Sequence, residues 1–89
     1  MEVDNINESI KTYYLHQRTK ENLKIKINHL QNYKKYLIHM IDNENDLYKK
    51  SLYIKKLNEI IDLIKEDKDI IYLLEEEIQK ISNKIDNFI

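Results

Sequence analysis

Apolar residues recur every three or four positions along nearly the whole chain. Ile6, Ile10 and Tyr13/Tyr14 form one short stripe, and Leu23, Ile27, Leu30, Leu37 and Ile41 form another, with a polar stretch from His16 to Asn22 between them. Asp42-Asn43-Glu44-Asn45-Asp46 then interrupts the pattern with five polar residues in a row. Beyond Leu47, Ile54, Leu57, Ile61 and Ile64 step by three and four, and Ile71, Leu74, Ile78, Ile81, Ile85 and Phe88 continue the spacing. This is the period of amphipathic helices, and Asn45 or Asp46 is placed to cap the second one. The pattern predicts an all-α fold: a long antiparallel helical hairpin, coiled-coil-like, in a single helical domain. Arm one covers about residues 4–41, the loop 42–46 and arm two about 46–89. The polar run 65–69 is either a turn or a polar segment within one long helix. Residues 64 and 71 lie one heptad apart, which favours the continuous helix; a break there would give a three-helix bundle.

With a turn near 43–44, residue 20 falls opposite residue 67. Arg18 and Lys20 would then face Glu66, Asp67 and Asp69, so that the polar stretches of the two arms meet. Charge agrees with this pairing. From Ser9 to Ile41 seven cations stand against one acid, Glu21, whereas Asp42 to Ile89 holds twelve acids and eight lysines. Antiparallel arms so charged attract each other. Leu52, Ile60, Leu63, Ile70 and Leu73 flank the stripe of arm two and widen its apolar surface beyond one seam. A hairpin has no second layer to cover them, and a chain of 89 residues is marginal alone. A homodimer completing a four-helix bundle is the expected oligomer.

Composition narrows the chemistry. The chain has no Gly, Pro, Cys or Trp. Phosphate-binding loops, Rossmann units, disulfide frameworks and thiol nucleophiles are therefore out of reach. No apolar run is long enough to span a membrane. The acidic opening Met1-Glu2-Val3-Asp4-Asn5 does not read as a secretory or transit leader, so the expectation is a cytoplasmic protein. His16, His29 and His39 are too widely spaced for a helical metal site, and no nucleophile–base set stands out; no cofactor, metal or catalytic residue is expected. Tyr33 and Tyr36 flank Lys34-Lys35, and Tyr48 and Tyr53 flank Lys49-Lys50. Interleaved rings and cations stack on single-stranded nucleic acid in some proteins, and Tyr also takes the boundary positions of helical bundles. The basic first arm as a nucleic-acid or nucleoprotein contact is thus the alternative to a protein-binding role. The abundance of Ile, Lys and Asn without Ala suits an AT-rich genome, including those of phages and viruses, where such a chain would be an accessory protein.

Ser9-Ile10-Lys11-Thr12 with Lys20-Glu21, then Asp46-x-Tyr48, Leu57-x-Glu59, Ile64, Glu66, Ile71 and Ile78-Gln79-Lys80-Ile81 resemble tubulin-binding cofactor A. That family comprises small helical chaperones of β-tubulin. The resemblance covers about residues 9–81 and stops ahead of the family's third helix. Lys65 stands where the family has a helix-kinking proline, and Ile60 where it has serine. The resemblance implies a non-catalytic protein that binds β-tubulin through exposed helix faces, with Lys20, Glu21, Tyr48, Lys49, Lys50 and Glu59 as the partner-binding candidates. Leu57-Asn58-Glu59-Ile60-Ile61-Asp62 is also similar to the signature of small sporulation phosphatases, with Asn58 in place of its serine. That likeness implies a regulatory phosphatase whose activity depends on Asp62, the third reading of the chain.

Overall fold

The computed structural model describes the backbone of residues 2–88 and the side chains of residues 5–88. The chain is all-α: helix α1 spans Glu2–Asn43 and helix α2 spans Leu47–Phe88. Residue 89, the expected end of arm two, lies outside the described residues. With no Gly to enter the left-handed region, the described backbone has no positive φ, and polar side chains finish the helices instead. Asn43 Nδ2 donates to the His39 carbonyl at 2.8 Å, closing the last turn of α1. Asp46 is the N-cap of α2: its Oδ1 accepts from the Tyr48 and Lys49 amides at 2.9 and 3.1 Å, and its carbonyl accepts from the Lys50 amide. The Glu44 carboxylate holds the Asp46 amide at 3.1 Å. The loop is thus three residues, shorter than expected. Helix α2 runs through residues 65–69 without a break.

Contacts between the helices group into two compact units. The loop unit is Ile25–Lys68; the terminal unit is Met1–Lys24 with Asp69–Ile89. The loop unit is a helical hairpin centred on buried Leu37, Ile60 and Ile64, with Ile27, Leu30, Tyr53 and Leu57 packed against them. In this unit one heptad series of covered positions runs through 27, 30, 34, 37 and 41 of α1 and 50, 53, 57, 60, 64 and 67 of α2, with 31 and 40 half-buried beside it. In the terminal unit the series runs through 6, 9, 13, 16, 20 and 23 on α1 and 71, 74, 78, 81 and 85 on α2, with 12, 17 and 82 half-buried beside it. Within each set the steps alternate between three and four, the heptad seam of a coiled coil.

The seam of α2 differs from its sequence reading by one position near the loop. Ile60 is 4% exposed while Ile54 and Ile61 are 42% and 41% exposed, so Tyr53, Ile60 and Asp67 take the inner places. Ile60 is therefore core rather than flank. Leu57 and Ile64 are inner residues in either phase, and an isoleucine stands at both 60 and 61. Only the facing helix decides between them.

The register also differs. Asp67 pairs with Lys26, not with Arg18 or Lys20: Lys26 Nζ lies 3.1 Å from Oδ2 and donates to Oδ1 at 3.4 Å. The turn sits later than 43–44, at residues 44–46. As a result the polar stretch 16–22 of α1 belongs to the terminal unit, whose α2 seam is wholly aliphatic, while Asp67 belongs to the loop unit among isoleucines. Asp67 is 4% exposed, and its Oδ2, though close to Lys26, has no partner in hydrogen-bonding geometry. Ser9, also buried on the seam, is satisfied locally, donating to the Asn5 carbonyl at 3.0 Å. Lys20, Lys34 and Lys50 are half-buried at seam positions, where a long methylene stem lies along the apolar contact.

Two stability measurements check this arrangement. In urea denaturation Ile60→Ala is expected to cost about 2–4 kcal/mol, as deletion of core methylenes does. Ile61→Ala is expected to cost less than about 1 kcal/mol. Equal losses would place Ile61 on the seam. Lys26→Ala, which leaves a buried carboxylate without its cation, is expected to cost about 1–3 kcal/mol. Asp67→Leu is expected to be neutral or to stabilise by up to about 4 kcal/mol, because no charge then remains to be desolvated. A destabilised Asp67→Leu protein would show that the ion pair contributes net stability.

Candidate partner-binding faces

A heptad seam leaves two sides to each helix pair. Residues one position after a seam residue line one side, and residues one position before it line the other. The terminal unit shows the rule directly. One groove is lined by Ile10, Tyr13, Tyr14, Ser82, Ile85 and Asp86, in which Ile10, Tyr14, Ser82 and Asp86 each follow a seam residue. A second is lined by Asn5, Ile6, Lys84, Asn87 and Phe88, in which Asn5 and Lys84 each precede one. These are called the following side and the preceding side below.

On the preceding side of the loop unit stand Tyr33, Tyr36, Leu52 and Leu63, exposed by 39%, 55%, 50% and 38%. The Tyr33 and Tyr36 rings are stacked, with centroids 6.2 Å apart and planes at 16°. Their spacing of three puts them on one side of the helix. Lys34 is on the seam and Lys35 on the following side, so these cations and rings, interleaved in sequence, are divided among three faces. Lys26, Lys49, Lys56, Glu59 and Glu66 are the charged residues of the preceding side, with Lys56 and Glu59 paired at 3.7 Å. The aromatic–aliphatic side thus carries charge of both signs.

The sequence-derived candidates are distributed unevenly. Lys49 and Glu59 share the preceding side of the loop unit. Tyr48, 74% exposed, projects from the first turn of α2 away from the seam. Lys50 opens the α2 seam and is half-buried. Lys20 is a half-buried seam residue of the terminal unit, and Glu21 lies on that unit's following side, 3.8 Å from Lys24. The six therefore do not form one site. Tyr33, Tyr36, Leu52 and Leu63 are the residues that matching short motifs did not single out as a surface. Their common offset from the seam would have shown it, once the seam was phased on Ile60.

The following side of the loop unit is aliphatic and basic. Ile38, Ile54 and Ile61 stand there with Lys35, Lys65 and Lys68, all exposed. That of the terminal unit is aromatic and acidic, with Tyr14, Tyr72, Glu75 and Asp86. Tyr13 and Tyr14 meet edge to face, centroids 5.5 Å apart and planes at 81°, and Gln17 Nε2 donates to the Tyr13 hydroxyl at 3.2 Å. Hydrogen bonding to the Glu76 carboxylate, then its negative charge, raise the Tyr72 phenol above its ordinary value of 10.0.

Among the described residues no group of three His, Asp or Glu side chains converges as a metal site, and no helix is long and apolar enough to cross a membrane. His39 lies 3.3 Å from the Asn43 amide, and Asp62 is exposed on α2. No family model, curated protein or solved structure matches the chain.

The tyrosine shift is open to ultraviolet titration of phenolate absorbance. Glu76→Gln is expected to lower the highest of the titration midpoints by removing the charge that opposes phenolate formation. An unchanged curve would show that Glu76 does not act on Tyr72.

Proposed function

We propose that the chain is a non-catalytic helical module that binds another protein through the preceding side of its loop unit. The observation that carries this reading is the exposed set of stacked Tyr33 and Tyr36 beside Leu52 and Leu63. Tyrosine supplies large contact area at low entropic cost and recurs at interface hot spots. Interspersed Lys49, Lys56, Glu59 and Glu66 form the polar rim that such a contact requires. The two grooves of the terminal unit are open surfaces rather than enclosed reaction chambers, which favours binding over catalysis. The resemblance to tubulin-binding cofactor A makes β-tubulin the first partner to test, with this chain holding it through polar and aromatic contacts.

The immobilised full-length chain is expected to retain β-tubulin at micromolar concentration. Tyr36→Asp and Leu63→Asp are each expected to weaken retention by at least about tenfold with helix content unchanged. No retention rejects β-tubulin as the partner. Retention unaffected by both substitutions rejects this side as the binding surface.

A further inference from the structure

We propose that the Tyr13–Tyr14–Asp86 groove of the terminal unit receives the lysine-rimmed following side of the loop unit from a second copy of this chain. The groove is a receptor for an ammonium group on an aliphatic stem. Two perpendicular aromatic rings wall it, the Tyr13 ring being held by Gln17, and Ile10 and Ile85 supply apolar surface. A carboxylate, Asp86, stands at its edge and has no ion-pair partner among the described residues. Ring faces attract cations, and a nearby carboxylate adds Coulombic selectivity. Glu75, on the same side, is likewise without an ion pair among the described residues, whereas Lys24, the one cation there, is engaged by Glu21.

The loop unit presents the complementary chemistry. Lys35, Lys65 and Lys68 are exposed, have no ion-pair partner among the described residues, and surround Ile38, Ile54 and Ile61. Asp42 is the sole acid on that side. Charge over the whole units has the same sense: nine lysines against seven carboxylates in Ile25–Lys68, and six cations against nine carboxylates in the remainder. Docking one side on the other buries isoleucine against Ile10 and Ile85 and sets lysines against Asp86 and Glu75. Two loop units, or two terminal units, would instead oppose like charges through these sides. Each copy carries both halves of the contact, so the two partners need no third component. The preceding side of the loop unit, with charge of both signs, stays available for the partner discussed above.

The inference rests on reading the chain as a binding module, and it is tested separately from that reading because Lys65 and Lys68 lie on the other side of the loop unit from Tyr36 and Leu63, and Glu75 and Asp86 lie in the terminal unit. Sedimentation equilibrium of the full chain is expected to show a dimer that weakens between 50 and 500 mM NaCl. Glu75→Lys combined with Asp86→Lys, and Lys65→Glu combined with Lys68→Glu, are each expected to weaken it at least about tenfold while circular dichroism stays unchanged. An equimolar mixture of the two variants is expected to form a heterodimer near wild-type affinity, since each contact then joins opposite charges. A monomer at every concentration overturns the proposal. So does a dimer indifferent to both reversals, or a mixture that does not recover. The Tyr36→Asp chain is expected to dimerise normally, which separates this contact from β-tubulin retention.

Discussion

Everything in this molecule depends on the single interdigitated seam in each unit. A helix that contacts one neighbour along alternating steps of three and four has one covered stripe and must leave its remaining faces wet. The buried hydrophobic residues are accordingly few: Leu37, Ile60 and Ile64 in the loop unit, Ile6 and Ile78 in the terminal unit. Each fully buried aliphatic side chain contributes roughly 1.5–3 kcal/mol. With so narrow a core, a polar residue on the seam weighs heavily in the balance.

Asp67 is the clearest case. A leucine at that position would extend the isoleucine series without a gap, yet the chain has a carboxylate there, answered by Lys26 on the facing helix. A half-exposed lysine can follow the carboxylate only where the two helices hold a particular register. In coiled coils a polar seam residue commonly fixes register at a cost in stability, and the Asp67–Lys26 pair occupies such a position. In the terminal unit polarity is concentrated on α1, where Ser9, His16 and Lys20 face an aliphatic α2 stripe. Ser9 is satisfied by its own helix, so it makes no demand on register.

The same seam sorts the surface into sides of different chemistry. Tyr33 and Tyr36 share a side because they precede Lys34 and Leu37, and Lys35 is separated from them because it follows Lys34. Sequence neighbours thereby become surface strangers, while Ile38 and Ile61, far apart in the chain, belong to one side of the loop unit.

Helix content, the position of the loop and the cap at Asp46 were all legible in the sequence, because they depend on local periodicity and on a side chain reaching amides two and three residues away. Continuity through residues 65–69 was legible too, from the heptad joining Ile64 to Ile71 and the absence of Gly and Pro. The phase of the seam was not. Ile60 and Ile61 both lie at helical spacing from Leu57 and Ile64, and their hydrophobicity is identical, so only packing against Leu30 and Leu37 separates them. Nor was the register: charge attraction alone cannot distinguish Lys20 from Lys26 as the partner of Asp67, since the two lysines lie less than two turns apart. The stagger at which side chains interdigitate makes that choice, and with it the side on which every remaining residue stands.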